Sequence, residues 1–452
     1  MPWTLRVAAI GATVQIDAEA LTPAQRDLVA AAWRDAVAGE SVLVDAVVTP
    51  ALGVDDGAML ADLSQSVTLA AIDARRGEVW MLHAAGLALD DGRVVALVGP
   101  SGRGKTTAAM TLGRAFGYVS DETVAIDADG RVWPYRKPLS VIDDPEAPKR
   151  QRTPSDAGMR ALPDAPLRLA AVVLLDRQSD APDVPVVEEV DLGDALADLV
   201  EQTSYLPSLE APLQLLAGHL ARVGGVQRVV YREAATLVDV LPALAAAREV
   251  ESAAPLAPQP GTAAVVDPET AAYFRRPIED AVALADPDRI ALLQVDADGA
   301  GTVRVLAGVA PALWRGAHGA SAHELVAAAI DAYGTPGSVR DAAVLVGLAL
   351  ADLVDAGLIE HRLPRWGILP TVPWVDSGDR VVLLPPGGDG LARALDTSGT
   401  VIWRVLDDRG PIGVDALADA VADVAGVSAG DVAPTLPPFL GELADMRVVR
   451  LS

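Results

Sequence analysis

Short apolar runs and amphipathic stretches alternate along the first half of the chain. Residues 5–16 and 41–48 have strand-like patterning, and 23–38 places its apolar positions at helical spacing. From 80 to 250, strands and helices are predicted in alternation. Residues 94–98 form a short apolar β-branched run, and 106–116 continues as a helix. Residues 119–127 and 130–135 read as a hairpin with 128–130 as its turn. An apolar strand at 169–175 ends in Asp176, a strand follows at 227–232, and a closing helix is expected over 235–247. The apolar stretch 342–359 carries Asp352 and Asp355, so it reads as a buried helix and not as a membrane span.

The pattern breaks at 253–263, a Pro/Ala-rich stretch without periodicity that reads as a linker. Beyond it the chain repeats itself. The residues Asp288-Arg289-Ile290-Ala291-Leu292-Leu293 match Asp379-Arg380-Val381-Val382-Leu383-Leu384, and Ala312-Leu313-Trp314-Arg315 matches Val401-Ile402-Trp403-Arg404. Predicted helices at 323–333 and 416–424 correspond, and both copies close on a similar stretch, 350–362 and 440–452. An ordered series of matches points to duplication of one module of two or three strands, three helices and a short terminal strand.

Composition narrows the classes of partner. A chain of 452 residues, 51% hydrophobic, has material for two or three domains. Its formal net charge of −26 argues against a general nucleic-acid binder and against an anionic membrane surface. It suits solubility and a basic or neutral peptide partner. With no cysteine, disulfides, thiolate catalysis and cysteine zinc sites are excluded. The first residues lack a basic stretch and an apolar core, so no signal peptide is read and a cytoplasmic location is expected. Basic residues are nearly all Arg; the only lysines are Lys105, Lys137 and Lys149.

One of those lysines lies in Gly99-Pro100-Ser101-Gly102-Arg103-Gly104-Lys105-Thr106, which satisfies the P-loop pattern G-x-x-x-x-G-K-[ST] between a predicted strand and a predicted helix. Glycines let backbone N–H groups wrap phosphate oxygens without Cβ clashes, and the following helix directs its positive end at the same anion. The Lys105 ammonium would reach the β/γ phosphates, and the Thr106 hydroxyl would ligate Mg²⁺. The competing reading is a Gly-rich turn that binds nothing. Downstream, Asp121-Glu122 are paired acids suited to metal binding or general-base work beside a P-loop; without that neighbour they would read as a solvated turn. Asp176 closes its strand in a Walker-B-like way, although many apolar strands end in Asp. His83 lies just before the P-loop strand, where a lone histidine is more often structural than catalytic.

Three segments together carry a resemblance: LHAAGLALDDGRVVALVGPSGRGKTT, FGYVSDETVAI and WPYRKPLSV. They resemble the HPr serine kinase/phosphorylase superfamily, over residues 60–250, and in particular the shorter members found in peptide-natural-product gene clusters. That resemblance implies an α/β P-loop domain that binds ATP and Mg²⁺. It implies nucleotide contacts from Gly99, Ser101, Gly102, Arg103, Gly104, Lys105, Thr106 and Thr107, and catalytic roles for Asp121, Glu122 and His83. Metal ligands would come from Thr106, Asp121 and Asp176. Glu122 departs from the family, which commonly has a second aspartate there, and no HPr-binding signature is present.

The duplicated module resembles the PqqD family, the recognition element for ribosomally made, post-translationally modified peptides. The clearest stretch is Leu395-Asp396-Thr397-Ser398-Gly399-Thr400-Val401-Ile402-Trp403. The resemblance implies a winged-helix-like α+β fold to whose sheet edge a leader peptide adds as a strand. Trp314 and Trp403 are expected as core anchors. A winged helix could instead bind DNA, but 338–356 holds only Arg340 and 429–445 holds no basic residue. The expected organisation is a P-loop domain over 1–250, with an N-terminal α/β part to 80 and a nucleotide-binding core from 81. A linker at 251–264 and two PqqD-like domains, 265–363 and 364–452, complete it. Two functions stay open: an ATP-dependent kinase acting on a Ser or Thr of a precursor peptide, and a non-catalytic scaffold delivering that peptide to modifying enzymes. A generic P-loop ATPase or transporter component would need an ABC-type signature, and none is found.

Overall fold

The computed structural model describes residues 3–39, 42–99, 105–141, 150–246, 254–256, 271–284, 288–386 and 391–451. The protein is a mixed α/β chain with several sheets. It divides into two compact units, Met1–Pro258 with Ile278–Ala307, and Gln259–Pro277 with Gly308–Ser452.

The first unit opens on the hairpin β1 (Thr4–Ala9) and β2 (Ala12–Asp17), to which β3 (Ala46–Val48) adds parallel to β2. Helix α1 (Pro23–Ala32) starts at a capping box: the Thr22 hydroxyl accepts from the Gln25 N–H and the Gln25 side chain reaches back, with Pro23 pre-set for the first turn. It stops at Trp33, short of the expected 38, and a single 3₁₀ turn, Arg34–Ala36, follows. Helix α2 (Asp56–Ala74), capped by Asp55, lays Leu63, Val67 and Ala71 on Val14 and Ile16 in one core.

The chain then builds two further sheets. Its strands are β4 (Trp80–Leu82), β5 (Ala84–Ala88), β6 (Arg93–Val98), β7 (Gly117–Ser120), β8 (Val124–Ile126), β9 (Val132–Trp133), β10 (Leu139–Val141), β11 (Arg150–Arg152), β12 (Arg168–Arg177), β13 (Val186–Val190), β14 (Thr203–Ser204) and β15 (Val226–Tyr231). Helices α3 (Lys105–Leu112), α4 (Leu192–Glu201) and α5 (Pro212–Arg222) lie between them, and α6 (Leu241–Leu244) follows. The six-stranded sheet has the order β13-β15-β12-β6-β5-β7, with β6, β12 and β15 parallel and β5 and β13 antiparallel to their neighbours. Its central strands are continuously apolar because both faces are covered. Val94, Ala96 and Val98 face one core with Leu196, Leu213 and Leu220, while Val95 and Leu97 face another with Ala108, Ala109 and Leu112 of α3. The closing helix expected over 235–247 is two short pieces, a 3₁₀ turn at Ala234–Val238 and then α6.

The second sheet, β14-β4-β8-β9, contains the expected hairpin, with Ala125 opposite Trp133 and Ile126 opposite Val132. The predicted strand 119–127 is not one strand, however. Its first part, β7, pairs with β5 in the large sheet; its second part, β8, pairs with β4 in the small one. Asp121-Glu122-Thr123 is the crossing.

Strand β16 (Ala254–Leu256) falls inside the stretch read as a linker and pairs with β18 (Asp280–Leu284); the rest of 251–264 lies outside the described residues. With β17 (Ala272–Arg275) standing between them in the chain, β18, β19 (Arg289–Val295) and β20 (Gly301–Leu306) complete the sheet β16-β18-β19-β20. That sheet belongs to the first unit, although the sequence division places its last three strands after the linker. The reason is packing: Val282, Leu284, Ala291 and Leu293 share a core with Leu196 and Leu199 of α4 and Leu213 and Leu216 of α5.

In the second unit, β17 pairs with β21 (His318–Ala320) and β22 (Ile359–Arg362) around α7 (Ala310–Gly316), α8 (Ala322–Tyr333) and α9 (Val339–Asp355). Helix α9 buries Ala342, Val346, Leu350 and Leu353, but its other side exposes Val344, Leu345 and Leu348, so the stretch expected to be buried is buried on one face only. Among the described residues no helix is long and apolar enough to cross a membrane. The chain continues through β23 (Trp366–Ile368), β24 (Trp374–Asp376), β25 (Val381–Leu383), β26 (Arg393–Ala394), α10 (Thr397–Arg409), α11 (Val414–Ala425), α12 (Ala429–Val432), α13 (Leu436–Asp445) and β27 (Val449–Leu451). Three antiparallel strands, then helices, then a short terminal strand follow one another after 280 and again from 374; the first copy has three helices with β21 between α7 and α8, and the second has four. Trp314 and Trp403 occupy equivalent helices, and both are core residues.

Candidate nucleotide site

Strand β6 ends at Val98 in the middle of the large sheet, Gly99 follows, and α3 begins at Lys105. The predicted strand before the motif and helix after it are thus present. Pro100, Ser101, Gly102, Arg103 and Gly104, four of them expected nucleotide contacts, lie outside the described residues. Lys105 is 7% exposed, and its ammonium donates to the Gly99 carbonyl. Burial lowers its pKa. Among the described residues no carboxylate lies within ion-pair range of it. A buried ammonium at a helix N-terminus with no carboxylate partner is suited to an incoming anion. Thr106 and Thr107 are exposed on the first turn of the same helix.

The acidic pair sits where the chain changes sheets. The buried Ser120 hydroxyl accepts the N–H groups of Glu122 (3.2 Å) and Thr123 (3.1 Å), which fixes that crossing as a turn. Asp121 accepts a hydrogen bond from the Tyr118 hydroxyl at 2.8 Å. Glu122 pairs with Lys137 at 2.9 Å, and the Lys137 side chain is only 12% exposed. Burial works against the Lys137 charge, but Asp121 and Glu122 together overcome it and raise its pKa. Arg136 buttresses the turn from behind, donating to the carbonyls of Tyr118 (2.6 Å) and Arg160 (3.1 Å), with Asp35 at 3.8 Å.

His83 links β4 to β5, and its backbone N–H donates to the Gln202 carbonyl at 2.7 Å. The half-buried imidazole has its pKa lowered, first by burial and then by the Lys105 charge, against the opposing pull of Glu122 and Asp121. His83, Lys105, Asp121, Glu122 and Lys137 therefore share one local field. Asp176 is placed differently. The pairing of Leu174 with Val98 sets it beside Gly99, where it lines a cleft of about 280 Å³ with Asp198, Glu201 and Arg228 and accepts from Gln178 at 2.7 Å. Among the described residues no group of three His, Asp or Glu is arranged to hold a metal ion.

Beside the acidic turn lies a cleft of about 410 Å³, lined by α2, by Ser140 and Gln151 of the antiparallel pair β10–β11, and by Ser204, with His83, Glu122, Thr123 and Lys137 also in its lining. Sequence reasoning gave no individual role to Lys137, Tyr118, Ser120 or Arg136, although all four lie in the segments that carry the resemblance. One signal was available for Lys137: it is one of three lysines in a chain whose bases are otherwise arginine. The contacts of Ser120 and Tyr118 arise from the jump between sheets, which local pattern does not show.

No family model matches the chain, and no curated protein matches it. Among solved structures it is similar to the Hpr(Ser) kinase/phosphatase from Coxiella burnetii, at 13% identity and a TM-score of 0.21, over 36% of this chain and 92% of that one. A likeness that loose carries no argument about the site.

Proposed function

We propose that the chain binds ATP and Mg²⁺ at the turn between β6 and α3, and that it transfers a phosphoryl group to a Ser or Thr hydroxyl of a ribosomally made precursor peptide. In this reading the duplicated C-terminal module recognises the leader of that peptide in the manner of the PqqD family. The observation that supports it best is the buried Lys105 ammonium, without a carboxylate partner among the described residues, in the same field as His83, Asp121, Glu122 and Lys137.

ATP would supply the phosphoryl group, and Mg²⁺ would neutralise the charge on its oxygens. Lys105 would hold the phosphates, with Thr106 and an acidic side chain as metal ligands. Asp121 would take the acceptor hydroxyl proton: Tyr118 engages one carboxylate oxygen, which orients the group. Lys137 would hold Glu122 in place and offset the negative charge of the pair. As the acceptor oxygen bonds to phosphorus, the bond to the leaving ADP breaks.

Lys105→Ala should weaken ATP binding by at least about tenfold in a calorimetric titration, while the melting curve stays near that of the parent chain. Incubation of the full chain with precursor and ATP should add the mass of one phosphate. ATP binding without any mass gain would sink the transfer step.

A second reading has its own support. Both acids already have internal partners, Tyr118 for Asp121 and Lys137 for Glu122, and the second acid is a glutamate. A scaffold that binds nucleotide without transferring phosphate would deliver precursor to other enzymes. Lys105→Ala would then leave leader binding and product formation intact.

A further inference from the structure

Helix α9 is buried on one side only, and the side it leaves open has a pattern of its own. Ala342, Val346, Leu350 and Leu353 form its inner side, and the elements it packs against are α7, α8 and β22. At about 100° per residue, Arg340, Val344, Gly347, Leu348, Ala351 and Asp355 share an outer arc of about 100°. All six are exposed, Val344 by 58% and Leu348 by 62%. A Cβ added at Gly347 would meet nothing within 4 Å. The arc is ordered along the helix, with a cation at its N-terminal end, an anion at its C-terminal end, and large and small apolar residues between them. The module does not require such a face. In the second copy the last helix before the terminal strand, α13, exposes Glu442 and Asp445 and no large apolar side chain.

We propose that this face binds the same face of a second copy of the chain, the two helices running antiparallel about a two-fold axis near Gly347 and Leu348. The order of charges selects both the occupant and the direction. In that arrangement Arg340 of each copy faces Asp355 of the other, Val344 faces Ala351, and Leu348 faces Gly347. Each end gains an ion pair, and each large side chain meets a small residue, which lets the axes approach to about 8 Å. A parallel pair would set Arg340 on Arg340 and Asp355 on Asp355. Antiparallel helices also oppose their dipoles. A face complementary to itself under a two-fold is what an isologous contact requires. The 17 residues of α9 span about 25 Å. One such helix pair is a small interface, so the dimer is weak, with a Kd on the order of 10 µM. The pairing is independent of the phosphoryl-transfer reading.

The test is sedimentation of the full chain between about 1 and 200 µM, with a thermal melt of every variant. The parent should pass from monomer to dimer across that range. Leu348→Glu should weaken association by about tenfold or more with the melt unchanged, because the position is exposed. Arg340→Asp and Asp355→Arg, each alone, set like charges face to face and should each weaken it by about tenfold. Both changes suit the helix dipole, an acid near the N-terminus and a base near the C-terminus, so neither should harm folding. A chain carrying both changes should associate as the parent does, since the two charges have only exchanged places. A parallel pair would leave that double variant as weak as the single ones, and such a result would overturn the proposal. A monomer at every concentration would overturn it too, as would a dimer indifferent to Leu348→Glu.

Discussion

The two copies of the C-terminal module follow one sequence pattern, yet their sheets are packed on different partners. In the second copy the sheet faces its own helices: Val381 and Leu383 share a core with Trp403, Leu406 and Leu440. The Val381 N–H donates to the Thr400 hydroxyl at 3.2 Å, and Arg404 grips Asp376 through two bonds of 2.8 Å. In the first copy the sheet faces α4 and α5 of the P-loop unit instead. Arg289 binds both oxygens of Asp191, at 2.8 and 2.7 Å, and the buried Asp280 accepts from the backbone (3.0 Å) and side chain (2.7 Å) of Gln214. The same strand pattern thus makes a self-contained module once and a buttress for another domain once. An apolar strand face specifies that it must be covered, not by what.

The largest break in this comparison should come from the tryptophans. Trp403→Ala should cost about 3 to 5 kcal/mol, read as loss of the second copy's transition in a chemical melt with nucleotide binding retained. If nucleotide binding collapses with it, the second copy is not independent of the first unit.

Acid should separate the two copies next. His219, on α5 beneath the first copy's sheet, is 1% exposed and stacks on Trp80 with ring centroids 5.7 Å apart. Burial first, and then Arg222, push its pKa from 6.5 to about 4. The unfolded chain takes up this proton at a higher pH than the folded one. The contribution is therefore complete above 6.5 and falls away as the pH drops toward 4, by about 3 kcal/mol at the low end. In the second copy, the Arg404 guanidinium, helped by the Gly378 N–H, holds the Asp376 carboxyl at about 2. That pairing persists until the pH falls below the ordinary carboxylate range. Melts at neutral pH and at about pH 4.5 should show the first unit weakened and the second copy little changed. His219→Leu should flatten the difference.

Smaller effects should refine the contrast. Asp280→Ala leaves the Gln214 donors without an acceptor and should cost about 2 kcal/mol, confined to the first unit. Arg404→Ala removes an exposed pair and should be the mildest of the set, seen as a return of the Asp376 carboxyl toward its ordinary pKa in a carboxyl-resolved NMR titration.

Much of the frame around the candidate site is legible in the residues. The apolar run before Gly99 and the helix after it are local patterns, and they form as β6 and α3. The 128–130 turn and the duplicated order of elements are legible for the same reason. The break at Asp121 was not, because 119–127 has strand character throughout and only pairing partners decide that β7 and β8 go to different sheets. That break is also what puts Glu122 against Lys137 and His83 over Lys105's field.

The sequence alone determined the strand and helix that flank the glycine-rich motif, the repeat and its two buried tryptophans, because each depends on neighbours close along the chain. Tertiary structure alone decided that Glu122 carries an ion pair and that Asp176 lines a cleft with Gly99 and not the one that Glu122 lines. It also decided that the first copy's sheet is spliced into the P-loop unit. Those outcomes depend on which apolar faces meet and which buried charges find one another, and such choices are made between elements far apart in the chain.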